Sequence, residues 1–128
     1  AELLGLPMGY VRSGAKAHGR GSQIEGGPKP GAKTVVIEDL ISTGGSSLVA
    51  AQALQAGGLD VMGVLAIFTY GMDKATQTFL DADMPVAALT NLDTLVQVAM
   101  EQNYLSPEEG PEVLRFRDDP AAWWKEQG

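Results

Sequence analysis

The sequence predicts a single α/β domain built on a parallel sheet, and three observations lead to it. Its 128 residues, 45% of them hydrophobic, suffice for one core. Short apolar runs alternate with segments of helical period along most of the chain. The clearest run, Thr34 to Ile37, is β-branched and apolar on both faces, which is typical of a central strand in a parallel sheet. Such alternation predicts right-handed crossovers between the strands.

Local signals place the elements along the chain. The sequence predicts strands at 7–12, 34–37, 60–69 and 85–89, of which 34–37 is the central one. It predicts the last turn of a helix at 1–5, helices at 46–56 and 72–82, and a helix that begins at a capping box at 90–93. Two short helices are expected in the tail, starting near Ser106 and Asp119. Residues 13–32 contain six glycines and show no regular period, so we expect a long flexible loop there.

Composition excludes several classes of protein. The absence of cysteine rules out a disulfide scaffold, a zinc–thiolate site and thiol catalysis. No apolar run reaches the length of a membrane span, and nothing resembles a signal peptide, so we expect a cytoplasmic protein. The net charge of −7 argues against a nucleic-acid surface that extends over the whole protein.

The charge is unevenly distributed. Residues 12–33 hold five basic side chains and one acidic side chain, a local charge of +4, so the rest of the chain carries −11. A small basic segment in an acidic protein suits a compact anionic ligand better than a long polyanion.

The stretch from Glu38 to Ser46 is the best candidate for a binding site. Two adjacent carboxylates, Glu38 and Asp39, close a strand at the edge of the sheet where ligands of parallel sheets bind. The turn from Ser42 to Gly45 offers hydroxyls, glycines and backbone N–H groups at a helix start, which together suit a phosphate. Carboxylates repel phosphate but accept hydrogen bonds from vicinal hydroxyls, so the ligand predicted is a sugar phosphate. The alternative is a polar strand exit followed by an ordinary helix cap.

The segment from Val35 to Ser47 resembles the motif with which type I phosphoribosyltransferases bind phosphoribosyl pyrophosphate (PRPP). Flanking segments narrow the resemblance to the orotate phosphoribosyltransferase family. They are Tyr10-Val11-Arg12, Lys16-Ala17-His18-Gly19, Gln23-Ile24-Glu25-Gly26, Leu65 to Gly71 and Leu92-Asp93-Thr94-Leu95. The resemblance covers at least residues 3–105. It implies a type I phosphoribosyltransferase-like fold, with a mostly parallel central sheet flanked by helices and a long flexible catalytic loop.

The resemblance also implies a reaction and its partners. Orotate and PRPP would give orotidine 5′-monophosphate and pyrophosphate in de novo pyrimidine biosynthesis, with Mg²⁺ bound mainly through PRPP and no metal site made by protein alone. A cytoplasmic homodimer that shares the catalytic loop across its interface is implied as well. The expected partners are thus two small molecules and a second copy of the chain, with neither nucleic acid nor membrane.

Site residues are carried over from the motif position by position. The resemblance implies that Arg12, Lys16 and His18 contact the diphosphate, and that Glu38 and Asp39 hold the ribose hydroxyls. Lys16, His18 and Asp39 are the implied catalytic groups. The other implied PRPP-binding positions are Leu40, Ile41, Ser42, Thr43, Gly44, Gly45 and Ser46, and Ser42 is also implied to contact the orotate ring.

Physical chemistry supports a catalytic role for the loop. Lys16 and His18 are two residues apart, so in an extended loop their side chains point the same way. Cationic donors on a closing loop would stabilise departing pyrophosphate more in the transition state than in the ground state. Closure would also keep water from an oxocarbenium-like ribosyl centre. A solvated basic loop without a catalytic role is the alternative.

The chain departs from the family pattern in two places. Ser13-Gly14 follows Arg12 where some members carry a lysine, and Tyr70-Gly71 stands where some members place an arginine for the orotate carboxylate.

Other functions fit the same phosphate-binding turn, Ser42 to Gly45, which we call the cradle. They are a purine-type phosphoribosyltransferase, a PRPP-sensing regulator of the same fold that binds nucleic acid, and an inactive fragment that keeps the cradle alone. Against the family pattern, residues 1–128 are expected to be an N-terminally truncated core domain. The expected missing parts are the hood over the orotate, the first core strand and a loop that helps to bind pyrophosphate.

Overall fold

A computed structural model describes residues 1–12 and 24–127. After a 3-10 turn at Glu2–Leu4, its elements are β1 (Tyr10–Val11), β2 (Ile24–Glu25), β3 (Lys33–Ile41), α1 (Gly45–Ala56), β4 (Asp60–Thr69), α2 (Asp73–Asp81), β5 (Val86–Asn91), α3 (Leu92–Glu101), α4 (Glu109–Asp118) and α5 (Pro120–Gln127).

The main sheet has three strands in the order β3-β4-β5, all parallel, and helices connect them. Strands β1 and β2 form a separate antiparallel pair. This confirms the predicted α/β class and its parallel sheet.

The core lies between α1 and one face of the sheet. Val36 of β3 is paired with Val64 of β4, and both pack against Ala51 and Leu54 of α1 in one buried cluster. Phe79 of α2 closes the same cluster and is 2% exposed. This packing sets the start of α1 directly beyond the carboxyl end of β3.

The opposite face of the sheet carries exposed apolar side chains. Side chains alternate between the faces of a strand. Val35 and Ile37 of β3, Ile67 of β4 and Leu89 of β5 are all about half exposed or more.

No helix in the described ranges is long and apolar enough to cross a membrane.

Most predicted elements are confirmed within one or two residues. The strand at 60–69 has the predicted bounds, Gly5 caps the first turn in a left-handed conformation, and the two tail helices are present. The helices predicted at 46–56 and 72–82 appear as α1 and α2.

Three expectations were wrong in detail. Strand β3 does not close at Glu38-Asp39, because pairing with β4 continues to Ile41 and Thr69. Ile24–Glu25 forms a strand inside the segment expected to be irregular, since its partner β1 lies far away in sequence. The cap of α3 is Asn91, whose Oδ1 accepts from the N–H of Thr94, in place of the box predicted at 90–93. Residues 13–23 of the predicted loop lie outside the described residues.

Candidate active site

The predicted phosphate cradle is the turn between β3 and α1. Helix α1 begins at Gly45, and its first helical hydrogen bond runs from the N–H of Leu48 to the carbonyl oxygen of Gly44 at 3.0 Å. The backbone N–H groups of Gly45, Ser46 and Ser47 therefore precede the helical ladder. They stand at the positive end of the helix dipole, which favours an anion.

The surroundings of the two glycines in the turn, Gly44 and Gly45, differ. Gly44 has φ +79°, and a Cβ there would lie 2.7 Å from Cε2 of Phe79. A Cβ on Gly45 would meet no atom within 4 Å, and its φ is not in the left-handed region. Packing and backbone conformation thus require glycine at 44, whereas at 45 they leave open space at the helix start.

The two predicted acids point to opposite faces of β3. Glu38 is half-buried on the α1 side, where its Oε2 accepts a 2.9 Å hydrogen bond from the Ser47 hydroxyl. Asp39 is exposed, and its Oδ1 accepts from the N–H of Leu40 at 2.7 Å. Both acids lie in β3 a few residues before the cradle, but only Glu38 contacts α1.

The end of β4 is tied to the same turn. The carbonyl oxygen of Ile41 accepts from the N–H of Tyr70 at 3.0 Å and from the hydroxyl of Thr69 at 3.3 Å. Ile41 is 2% exposed and belongs to the core, so this predicted PRPP position offers little surface to a ligand. Ser42 follows directly and is exposed.

Within this chain the structure does not bring Arg12 to the cradle. Its guanidinium lies at hydrogen-bonding distance from the Tyr10 hydroxyl and pairs with the Glu25 carboxylate, and these contacts, Tyr10 first, raise the pKa of Arg12. The hairpin that carries it packs Ile24 against Gly57, the residue after α1. Twelve helical residues, roughly 18 Å, separate that end of α1 from the cradle. Lys16 and His18 lie outside the described residues.

Sequence reasoning missed two residues that shape the site. Ser47 is 1% exposed and holds Glu38 from the neighbouring element. Phe79 packs on Gly44 from α2. No short sequence pattern predicts either contact, because the partners are nine and 35 positions apart in the chain. Among residues 1–12 and 24–127, no group of three or more histidine or acidic side chains could hold a metal ion.

No model of a known protein family matches the chain. It is 51% identical over 128 residues to the orotate phosphoribosyltransferase of Bacillus pumilus, covering 98% of this chain and 60% of that protein. The chain spans about 60% of the length of the curated relatives it matches.

Two solved structures are similar as well. The orotate phosphoribosyltransferase of Aeropyrum pernix has a TM-score of 0.67 and 28% identity, over 82% of this chain and 56% of that one. The Mycobacterium tuberculosis orotate phosphoribosyltransferase in complex with PRPP has a TM-score of 0.53 and 28% identity, over 64% of this chain and 45% of that one.

Proposed function

We propose that this chain belongs to the orotate phosphoribosyltransferase family, spanning about 60% of the length of its curated relatives, and that it carries the PRPP site of such an enzyme. The proposed reaction transfers the 5-phosphoribosyl group of PRPP to orotate, giving orotidine 5′-monophosphate and pyrophosphate in cytoplasmic pyrimidine biosynthesis. The observation that carries the proposal is the turn from Ser42 to Gly45, with N–H groups that precede the helical ladder and open space at Gly45.

We propose that the cradle holds the 5-phosphate of PRPP. Its donors are the first N–H groups of α1 and the hydroxyls of Ser42, Thr43 and Ser46. The start of α1 adds positive potential without a lysine in the turn. A related protein from Mycobacterium tuberculosis is described with PRPP bound, which agrees with this ligand.

The acids have distinct proposed roles. Asp39 is exposed beside the cradle, so its carboxylate would accept from a ribose hydroxyl and stabilise positive charge that develops on the sugar. Glu38 would accept from the ribose while the Ser47 hydroxyl fixes its other side. Ser42 would contact the orotate ring.

Mg²⁺ fits this site as an ion held chiefly by PRPP oxygens and water. The carboxylates of Glu38 and Asp39 diverge, which suits hydroxyl binding better than a protein-only metal cage. When bound, the ion would neutralise charge on the diphosphate.

The proposed active form is a homodimer in which one copy's loop serves the other copy's cradle. Its support is the position of the Arg12 hairpin near Gly57, at the opposite end of α1 from the cradle. In a shared site, Arg12, Lys16 and His18 would reach the diphosphate of the partner subunit. Mixing a His18→Ala chain with an Asp39→Asn chain then regenerates one intact site per mixed dimer, so activity should return on mixing. No recovery would contradict sharing.

The test of the proposed function uses this chain and a chimera. In the chimera, this chain replaces the matching stretch of the Bacillus pumilus relative. We expect the chimera to form orotidine 5′-monophosphate from orotate and PRPP, and calorimetry to detect PRPP binding. Conversion of a purine base and not of orotate would favour the purine-type alternative. PRPP binding with no transfer to any base would favour a sensor, and no PRPP binding would overturn the proposal.

A further inference from the structure

One charged contact lies at the carboxyl end of the sheet outside the cradle. Arg117, in the last turn of α4, donates from Nη1 to Asp93 Oδ2 at 2.7 Å and from Nε to Asp118 Oδ1 at 2.7 Å. Its side chain is only 14% exposed, whereas Asp93 is 57% exposed in the first turn of α3. The contact therefore anchors the tail helices to the first turn of α3.

The Arg117–Asp93 pair lies close to Gly71, in the turn that follows β4. A Cβ on Gly71 would lie 3.8 Å from Asp93 Oδ2 and 3.9 Å from Arg117 Nη1. Gly71 has φ +71°, a conformation that glycine adopts readily and that other residues disfavour. Both charged side chains of the pair therefore lie close to this turn.

The other side of the same turn is bonded to the proposed orotate end of the site. The N–H of Gly71 donates to the Thr69 hydroxyl at 3.1 Å, and that hydroxyl donates to the carbonyl oxygen of Ile41. The N–H of Tyr70 also donates to Ile41, which directly precedes Ser42. The Tyr70 ring meets Phe68 edge to face, with centroids 5.8 Å apart.

We infer that Arg117 is a positioning residue for the base-binding end of the site. Together with Asp93 it fixes the turn at residues 69–71, and that turn fixes Ile41 and Ser42. The inference rests on the proposed function, because it assigns the orotate contact to Ser42. The rest of the phosphate cradle, from Gly44 onward, is held separately by α1 and Phe79.

The two ends of the site should therefore respond differently to loss of Arg117. In the chimera, Arg117→Ala should raise KM for orotate about tenfold, since misplacing a binding group by a small distance is costly, and raise KM for PRPP much less, since Ser42 is only one of several donors to the phosphate. Arg117→Lys should recover part of the loss. The matched control is Arg115→Ala in the same helix, where the ion pair with Glu112 is exposed and should not affect either KM.

Asp93→Asn breaks the same ion pair by changing its acidic partner. It keeps the test valid if Arg117→Ala fails to fold. Its orotate KM should rise in the same way, with the thermal unfolding midpoint recorded for each variant. An unchanged orotate KM, or equal rises in both KM values that follow the fall in unfolding temperature, would overturn the inference alone. An unsubstituted chimera that does not convert orotate would overturn both the inference and the proposed function.

Discussion

The hydroxyl of Ser47 donates a 2.9 Å hydrogen bond to Oε2 of Glu38 and joins the first turn of α1 to the last residues of β3. Ser47 is 1% exposed, so its hydroxyl has no access to water as a substitute partner. The bond therefore controls both the stability of this corner and the direction of the Glu38 carboxylate.

Ser47→Ala should destabilise the fold by about 1–3 kcal/mol, because the half-buried carboxylate loses a donor. Chemical denaturation of the chain measures this change. In the chimera the same substitution should raise KM for PRPP, since Glu38 is no longer fixed. Ser46→Ala is the control for stability, as the Ser46 side chain is exposed in the same turn. Equal stability of the two variants would contradict the role of the Ser47 bond.

Gly45→Ala separates ligand binding from folding. The added methyl meets no protein atom within 4 Å and the backbone conformation suits alanine, so stability should stay the same or rise by up to about 1 kcal/mol. If the PRPP phosphate approaches this backbone, the methyl should weaken PRPP binding at least about tenfold, or about 1.4 kcal/mol.

Calorimetry with PRPP and thermal unfolding check both halves of this prediction. Gln52→Ala, at an exposed position later in α1, is the matched control and should leave PRPP binding unchanged. Full PRPP affinity in Gly45→Ala would show that the phosphate binds elsewhere.

The strand–turn–helix that contains the proposed cradle could be predicted because its signals are local. A β-branched run, two acids, hydroxyls and paired glycines lie within 13 consecutive residues, and the strand–turn–helix follows from them. The bounds of β4 were equally predictable, because Val64 and Ala66 pack in the core and the apolar run ends before the glycine of the following turn.

Long-range pairing explains what could not be predicted. The extension of β3 to Ile41 depends on register with Thr69, and the strand at Ile24–Glu25 depends on Tyr10–Val11. The divergence of Glu38 and Asp39 depends on that extended strand, because adjacent side chains of a strand face opposite ways. None of these pairings leaves a pattern in a short window of sequence.

Glu109 gives the start of α4 a predictable dependence on pH. Its carboxylate accepts from the N–H of Ser106 at 2.8 Å, and the Ser106 hydroxyl accepts in return from the N–H of Glu109. The backbone N–H of Ser106, followed by the Ser106 side chain, lowers the pKa of the Glu109 carboxyl below its ordinary value of 4.5. A lowered pKa in the folded state means stabilisation that is present above pH 4.5 and lost as pH falls through the folded value.

Glu109→Gln should therefore lower the unfolding temperature at pH 7 and have little effect near pH 3. Thermal unfolding followed by circular dichroism at the two pH values measures the difference. Glu108→Gln, which removes the adjacent exposed carboxylate, is the matched control for the loss of one negative charge at this helix start. The same deficit of Glu109→Gln at both pH values would contradict the assignment.

The proposed catalytic loop gives a prediction about turnover. Lys16 and His18 are proposed to donate to the departing pyrophosphate, and loss of one such donor typically costs about 10²–10³ in kcat. Lys16→Ala and His18→Ala in the chimera should each lower kcat by that factor, because the donor acts mainly in the transition state. Lys29→Ala removes an exposed charge from the same basic segment and should leave kcat unchanged. If all three variants lose activity equally, the loss comes from the general charge of the segment and not from a specific contact. Unaltered turnover in Lys16→Ala and His18→Ala would show that neither residue is catalytic.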